Sequence, residues 1–393
     1  MSLLPTLDRT ALKAILDDID ADGWLIFDFH GLNPVAGRIL GLGGMGTRRL
    51  FAWLPKDGEF VAVAHKIELQ PVEHFPGRVI PYARYQELHE ALRSVVAGKT
   101  VAMEISPDDA VPYLDRVPYG VVGLLTRLGA TVVPSAPLVS RFAASWSTQE
   151  LEDHRYAAEV LARVARAALE RAVGSAGTGL RESALQAEVI AAMKQGGLVL
   201  SSPPIVGFGA NAANPHYEPH PGADAELKEG DVVLLDLWGG RSRETVFADQ
   251  TWMGFAGRLA PPHITTVWET VRDARDAAIQ RMRDAVDAGR SVFGYELDQA
   301  ARRVITNAGY GDAFVHRTGH SIDRDLHGSG PHLDDYETHD DRELLPGVGF
   351  SVEPGIYLPG RFGVRSEVNV YYAPDGPMVT PDDPQRDLII MKE

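Results

Sequence analysis

The sequence predicts a two-domain protein: an α/β domain over residues 1–142, followed by an α+β domain over residues 143–393. Three observations lead to this fold class. The chain has 393 residues, enough for two or three domains. Short strand-like runs alternate with helical ones up to about residue 140, and long amphipathic helices separated by strands follow.

The first domain is predicted from apolar runs rich in β-branched and aromatic residues, which are typical of strands. These runs lie at Trp24–Phe27, Leu50–Leu54, Phe60–Ala64, Val101–Glu104 and Thr131–Val133. Helical patterns cover Tyr85–Val96 and Ala110–Gly129. The proline-containing stretch Pro134–Pro137 and the turn region after it mark the predicted boundary between the two domains.

The second domain begins with a capping box, in which Ser147 is the predicted N-cap and Glu150 follows three residues later. The helices that follow are predicted at 148–173, 181–196, 263–288 and 297–308. Strands are predicted at 204–207, 231–237, 246–253, 349–352 and 364–372. The run of alternating charges on the third helix is interpreted as a solvated face.

Composition limits the class of protein. Hydrophobic residues make up 45% and charged residues 23% of the chain, as in ordinary globular enzymes. The formal net charge of −16 argues against nucleic acid or an anionic membrane as a partner. The N-terminal residues lack the basic and apolar blocks of a secretory signal, so we expect a cytoplasmic enzyme. Because the chain has no cysteine, any metal must be bound by oxygen and nitrogen ligands.

Five potential ligands lie within apolar or glycine-punctuated stretches of the second domain: Asp236, Asp249, His320, Glu353 and Glu367. Buried carboxylates are costly unless something compensates their charge. A single aspartate near a glycine is usually a turn or cap residue, and one buried charge can be explained by a salt bridge. Four carboxylates and an imidazole in the same setting indicate bound cations instead. Two divalent ions, such as Mn²⁺, Co²⁺ or Zn²⁺, would balance the four negative charges.

The motifs that contain these residues resemble those of the methionyl aminopeptidase, aminopeptidase P and prolidase family. They occur in the same order as in that family: Asp236-Leu237, Asp249-Gln250-Thr251, His316-Arg317-Thr318-Gly319-His320, Val352-Glu353-Pro354-Gly355 and Val364-Arg365-Ser366-Glu367. Asn211-Ala212-Ala213-Asn214-Pro215-His216-Tyr217 also resembles the family segment that carries a catalytic histidine. The resemblance covers the catalytic half and implies the pita-bread fold with two metal ions. The α/β first domain fits the proline-directed subgroup.

The resemblance implies a role for each matching residue. Asp236 would bind one metal ion, His320 and Glu353 the other, while Asp249 and Glu367 would bridge both. Glu353 would also transfer the proton of the attacking water. His216 and His327 match the histidines that polarise the scissile carbonyl, and His316 would line the leaving-residue pocket. Arg365 would orient a ligand carboxylate. For His216 and His327 the alternative is a hydrogen-bonded loop histidine, and for His316 and Arg365 a core or salt-bridge role.

One departure from the family pattern concerns the spacing of the two aspartates. Asp236 and Asp249 are thirteen residues apart, two more than in the common family hairpin. The residues around Gly239-Gly240-Arg241-Ser242-Arg243 are polar and glycine-rich, so a longer turn would accommodate the difference.

The expected reaction is hydrolysis of the N-terminal Xaa-Pro bond, with dipeptides preferred over longer peptides. A dipeptide carboxylate needs a cation, for which Arg38, Arg48, Arg49 and Arg361 are candidates. The alternative is an Xaa-Pro aminopeptidase acting on longer peptides. A creatinase-like amidinohydrolase or a non-catalytic binding module on the same fold is disfavoured, because both are usually marked by loss of metal ligands. The resemblance also implies a homodimer.

Overall fold

The computed structural model describes residues 2–43 and 46–392 and divides into two compact units, Met1–Ala143 and Ala144–Glu393. In the described residues, no helix has both the length and the apolar character needed to cross a membrane.

The first unit is built around a mixed six-stranded sheet with the strand order β4-β3-β2-β1-β5-β6. Its elements are α1 (Arg9–Asp18), β1 (Gly23–Asp28), α2 (Pro34–Leu40), β2 (Leu50–Pro55), β3 (Phe60–His65), β4 (Gly77–Tyr82), α3 (Tyr85–Val96), β5 (Thr100–Met103), α4 (Tyr119–Arg127), β6 (Thr131–Pro134) and the single turn α5 (Ala136–Leu138). Along β1, Trp24 and Ile26 pack into one apolar cluster, while Leu25 and Phe27 pack into another. Helices therefore cover both faces of the sheet, which explains why β1 is apolar from Trp24 to Phe27.

One predicted helix of this unit is wrong in its first half. The sequence pattern predicts a single helix over Ala110–Gly129, but only Tyr119–Arg127 forms an α-helix. Pro112 begins a short 3-10 turn and Pro118 precedes the helix. Proline lacks a backbone N–H and cannot continue a helix through its interior, so the helix starts after the second proline.

The second unit contains two four-stranded sheets, with strand orders β16-β9-β8-β7 and β10-β11-β14-β15, and the two-stranded hairpin β12-β13. Its elements are α6 (Thr148–Val173), α7 (Glu182–Gln195), β7 (Ile205–Phe208), β8 (Val232–Gly239), β9 (Ala248–Phe255), α8 (Pro262–Asp287), α9 (Gly294–Asn307), β10 (Ser321–Ile322), β11 (Gly349–Val352), β12 (Gly355–Leu358), β13 (Phe362–Arg365), β14 (Val368–Ala373), β15 (Gly376–Thr380) and β16 (Ile389–Ile390).

Helices pack on both faces of the sheet that contains β8. Val233, Leu235 and Leu237 belong to the apolar cluster formed with α6 and α7. Val232 and Leu234 belong to the cluster formed with α8 and α9. Since side chains alternate along a strand, the next residues on the α8–α9 face are Asp236 and Trp238. The apolar pattern of that face is thus interrupted by a carboxylate.

The predicted strand 364–372 is divided in the structure. β13 ends at Arg365 and β14 begins at Val368. In the gap, Ser366 donates its backbone N–H to the Pro354 carbonyl at 3.3 Å, and Glu367 donates to the Thr251 carbonyl at 3.4 Å. The backbone therefore changes partners at Glu367, and this change brings its side chain next to β9.

Candidate metal centre

The β8–β9 hairpin places Asp236 and Asp249 on one face. Asp236 lies opposite Thr251, and Trp238 lies opposite Asp249. Residues opposite each other in an antiparallel pair share a face, as do residues two positions apart on one strand. Asp236 and Asp249 are therefore diagonal neighbours, and both are buried, with 6% and 5% of their surface exposed.

His320 and Glu353 are brought together by the pairing of β10 with β11. Ser351 donates its N–H to the His320 carbonyl at 2.9 Å, and Glu353 donates its N–H to the Thr318 carbonyl at 2.7 Å. His320 Nδ1 lies 3.1 Å from the Ser321 carbonyl, a contact that favours a proton on Nδ1. Nε2 then faces the cluster, 3.5 Å from Asp249 Oδ2 and 3.4 Å from Glu353 Oε1.

Glu367 completes the cluster from the gap between β13 and β14. The Thr251 hydroxyl donates to Glu367 Oε2 at 2.8 Å, and Glu367 is buried. Asp249, His320 and Glu367 each offer one ligand atom, and these three atoms lie within 4.8 Å of one another. Three of the five predicted ligands therefore meet in a single buried group, and Glu353 and Asp236 adjoin it.

Two oxygen atoms of the cluster show that its hydrogen bonding is incomplete without a cation. Asp236 Oδ1 and Asp249 Oδ1 are both buried and have no hydrogen-bond partner among the described residues. Buried polar atoms normally have hydrogen-bond partners, so burying these two carboxylate oxygens without one costs free energy of folding. Oxygen donors together with one imidazole nitrogen suit a divalent cation such as Mn²⁺, Co²⁺ or Zn²⁺. The residues present therefore fit a metal site.

The side chain of Arg365 contacts two of the carboxylates, Asp236 and Glu353. Its guanidinium hydrogen-bonds Asp236 and donates from Nε to the Thr251 hydroxyl at 2.7 Å. Its Nε also lies 4.0 Å from Glu353 Oε2. Burial acts to lower the pKa of Arg365, but the surrounding carboxylates, Asp236 first among them, raise it well above its ordinary value. The guanidinium therefore remains charged.

The carboxylates of the cluster do not ionise equally in the absence of metal. Burial raises the pKa of Asp236 to about 7, and repulsion from Asp249 and Glu353 adds to this, although Arg365 opposes it. Burial and neighbouring carboxylates also raise the pKa of Glu367, and burial raises that of Asp249. For Glu353, burial is outweighed by the positive charges of His320, Arg365 and nearby histidines, which lower its pKa to about 2. The site holds more negative charge than Arg365 alone can compensate.

The three predicted catalytic histidines occupy different environments. The ring of His327 lies against that of His320 at a centroid distance of 4.1 Å, with the two ring planes tilted by 48°. Desolvation lowers the pKa of His327 to about 3, and repulsion from His320 and His216 acts in the same direction. His216 is exposed in the segment after β7. His316 Nε2 lies 2.8 Å from the Tyr357 hydroxyl, and desolvation lowers the pKa of His316.

The four arginines considered for a substrate carboxylate lie in both units. Arg361 is exposed in the turn of the β12–β13 hairpin. Arg38, Arg48 and Arg49 belong to the first unit, where Arg48 donates to the carbonyl and the hydroxyl of Thr47 at 3.0 Å each.

A family model described as metallopeptidase family M24 matches residues 152–373, more than half of the chain. The chain belongs to metallopeptidase family M24. Family membership implies divalent metal ions, and the donor set described above fits them.

Relatives from the family carry dipeptidase names. The chain is 29% identical to the probable dipeptidase PepE of Mycobacterium tuberculosis over 342 residues, covering 86% of this chain and 84% of that protein. It is 36% identical to the Xaa-Pro dipeptidase of Lactobacillus delbrueckii subsp. lactis over 191 residues, 48% of each chain. These relatives indicate a peptidase hydrolase of the M24 family.

Solved structures of M24 enzymes share the whole fold. The dipeptidase PepE of Mycobacterium ulcerans aligns with a TM-score of 0.73 and 24% identity over 98% of this chain and 96% of that one. The prolidase of Thermococcus sibiricus aligns with a TM-score of 0.68 and 24% identity over 98% and 100%. The predicted fold class, an α/β domain followed by a pita-bread domain, is confirmed.

Two residues of this M24 site have no assigned role in the sequence analysis. Thr251 both donates to Glu367 and accepts from Arg365, and its position two residues after Asp249 on the same strand was a usable signal. Tyr357 is buried, and its hydroxyl meets His316, a contact between residues 41 positions apart that no local pattern indicates.

Proposed function

We propose that this M24 protein hydrolyses the N-terminal Xaa-Pro peptide bond with two divalent metal ions, and that Xaa-Pro dipeptides are its preferred substrates. The observation that carries the proposal is the buried cluster of Asp249, His320 and Glu367 beside two carboxylate oxygens without hydrogen-bond partners. The dipeptidase and Xaa-Pro dipeptidase names of its relatives support the substrate class.

In this proposal, Asp236 would hold one metal ion, His320 and Glu353 would hold the other, and Asp249 and Glu367 would be shared between them. Mn²⁺ is the favoured ion, with Co²⁺ and Zn²⁺ as alternatives, because all donors are oxygen or imidazole nitrogen. Bound divalent cations supply a nucleophilic water at neutral pH and polarise the substrate carbonyl.

The protein's own side chains would move the protons and stabilise the developing charge. Glu353, whose pKa lies at about 2, is a carboxylate at neutral pH and can accept the proton of the attacking water. His216 and His327 donate hydrogen bonds toward the carbonyl oxygen as it becomes negative. His316, held by Tyr357, lines the pocket of the leaving proline. Arg365 orients Asp236.

The preference for dipeptides requires a cation for the substrate's free carboxylate, and Arg38, Arg48, Arg49 and Arg361 are the candidates. The family resemblance supports a homodimer in which the first domain of the partner subunit limits substrate length. A cytoplasmic location is proposed from the N-terminal residues, which lack the basic and apolar blocks of a secretory signal. Action on longer Xaa-Pro peptides, as an aminopeptidase, is the alternative.

The test is a rate comparison on chelator-treated protein with Mn²⁺, Co²⁺ or Zn²⁺ added back. Ala-Pro, Ala-Pro-Ala and Ala-Ala are the substrates, with creatine as a control for the amidinohydrolase reaction. We expect no hydrolysis before metal addition and Ala-Pro as the fastest substrate after it. Faster cleavage of Ala-Pro-Ala would replace the dipeptidase proposal by the aminopeptidase alternative. Metal-independent activity, or Ala-Ala cleaved faster than Ala-Pro, would refute the proposal.

A further inference from the structure

The carboxylate of Glu182, at the start of α7, is fully buried and accepts hydrogen bonds from four groups. The donors are the backbone N–H of Phe208 at 2.6 Å, the Asn211 amide at 3.0 and 3.1 Å, the Tyr217 hydroxyl at 2.7 Å and the backbone N–H of Ala225 at 2.8 Å. A buried carboxylate is tolerated only when it is satisfied in this way.

All four donors belong to the segment 208–225, and they flank His216 on both sides. Phe208 and Asn211 precede it, while Tyr217 and Ala225 follow it. After Phe208, which ends β7, and the 3-10 turn Gly209–Ala213, this segment lacks regular secondary structure, so its conformation depends on such side-chain contacts. The His216 backbone N–H donates to Asn214 Oδ1 at 3.2 Å. Of the residues that donate to Glu182, Tyr217 is the one next to His216 in the sequence.

The attachment is reciprocal, because the same segment caps α7. The N-cap residue of α7, Arg181, makes no side-chain cap to the helix. Asp224 replaces that cap by accepting the Ser183 N–H at 2.9 Å, and Arg181 donates to the Asp224 carbonyl at 2.5 Å. α7 is fixed in turn, since Leu185, Val189 and Met193 are buried in the cluster shared with α6 and β7. The segment thus has a rigid support.

The Tyr217 contact has a defined direction. Desolvation and the adjacent Glu182 carboxylate raise the pKa of Tyr217, so its hydroxyl keeps its proton and donates. A donor of fixed direction restricts the torsions of the backbone next to His216.

We propose that Glu182 is a positioning residue for the reaction: through the Tyr217 hydroxyl it fixes the direction in which His216 faces the substrate carbonyl. This inference rests on the role given to His216 in the proposed function. A displacement of a catalytic group by about 1 Å can cost on the order of a hundredfold in rate, so a single lost tether is measurable.

The test is a double-mutant cycle on kcat with the fastest dipeptide substrate, using Tyr217→Phe, His216→Ala and the combined variant. We expect Tyr217→Phe to lower kcat about tenfold, with KM, metal content and Tm nearly unchanged. In the His216→Ala background, the same substitution should change kcat by less than about twofold, because the group being positioned is absent. Tyr156→Phe is the matched control, since the Tyr156 hydroxyl donates to the Gly196 carbonyl outside the segment.

A loss of the same size in both backgrounds would mean that Tyr217 only supports the fold, and no loss at all would mean that the tether does not position His216. Either result overturns the inference. An unimpaired His216→Ala variant also overturns it, by removing the role of His216. Failure of the proposed function is distinguishable, because the wild-type protein would then not hydrolyse Xaa-Pro substrates with any of the metals.

Discussion

Arg365 shows how one residue can support several carboxylates at once. Its guanidinium is buried, contacts Asp236 and Thr251, and is surrounded by carboxylates that keep it charged. The planar, forked guanidinium can satisfy two acceptors in fixed directions, whereas a lysine ammonium acts as a flexible point charge. Mutation of residues that orient metal ligands in this way typically lowers metal affinity or activity.

Arg365→Lys therefore tests the geometry of this contact while preserving the charge. We expect about 10–100-fold weaker metal binding. The compact ammonium of lysine lacks the fork of the guanidinium and cannot donate to Asp236 and Thr251 at the same time. Competition with a chromogenic chelator measures the affinity. Arg283→Lys, on the exposed face of α8, is the control. Equal affinities of the Arg365→Lys and wild-type proteins would show that Arg365 contributes charge alone.

At the scale of elements, α9 is attached to the loop that carries His316 and His320. The buried Asp298 carboxylate accepts from the Thr318 N–H at 2.9 Å and from its hydroxyl at 2.7 Å. Arg302, one helical turn later, binds Asp298 and donates to the Phe314 and His316 carbonyls at 3.0 and 2.8 Å. The Thr318 carbonyl also accepts the Glu353 N–H. The Asp298–Arg302 ion pair therefore connects α9, through Thr318, with the predicted ligands His320 and Glu353.

Asp298→Ala should destabilise the second unit by about 3–5 kcal/mol, since it leaves the partly buried Arg302 and the Thr318 donors without their acceptor. Urea unfolding, followed by a signal from the second unit, measures the change. Asp287→Ala, at the exposed end of α8, should leave the midpoint unchanged. If Asp298→Ala lowers the free energy of unfolding no more than this control does, α9 does not hold the loop of His316 and His320 through Asp298.

The elements also show what the sequence can predict. The long helices of the second unit follow their amphipathic periodicity, which is a local property, and their predicted limits lie close to the observed ones. The division at Glu367 was not predictable, because it depends on hydrogen bonds to Thr251 and Pro354, far away in the chain. The five ligand candidates could be named from their unfavourable surroundings, and Thr251 could have been found from its position two residues after Asp249 on the same strand. Glu182 could not be found, because its role arises only from tertiary contacts.

For the whole molecule, the buried carboxylates link folding stability to pH. Because burial raises the pKa of Asp236 to about 7, the folded metal-free protein retains a proton that the unfolded chain releases near pH 4. This contribution to stability is fully present below about pH 4 and is lost as the pH rises to about 7. The raised pKa values of Asp249 and Glu367 act in the same direction. The lowered pKa of Glu353 affects stability only in more acidic solution.

The lowered pKa values of His316 and His327 act in the opposite direction, because the unfolded chain binds protons at these histidines below about pH 6.5. The contribution of Asp236 is therefore measured against Asp236→Asn: we expect the unfolding temperature of the chelator-treated wild-type protein, relative to that of the variant, to be lower at pH 7 than at pH 5. Added Mn²⁺ should raise the transition at pH 7 more than at pH 5, because metal ligands must lose their protons. Thermal unfolding followed by circular dichroism measures both. The net charge of −16 also varies with pH and affects stability by itself. Asp236→Asn is the control, because it removes the titration of Asp236 and leaves the other charges in place. The same change with pH in the metal-free wild-type and Asp236→Asn proteins would contradict this account.

The division of the chain at Glu367 also bears on biosynthesis. Asp249 leaves the ribosome on the order of a hundred residues before Glu367, so a nascent chain carries the first carboxylates long before their partner exists. The full donor set can assemble only after Glu367 has been synthesised. Metal loading would therefore follow the synthesis of Glu367, and a product truncated within β13 would lack the donor that joins the β8–β9 hairpin to the rest of the centre.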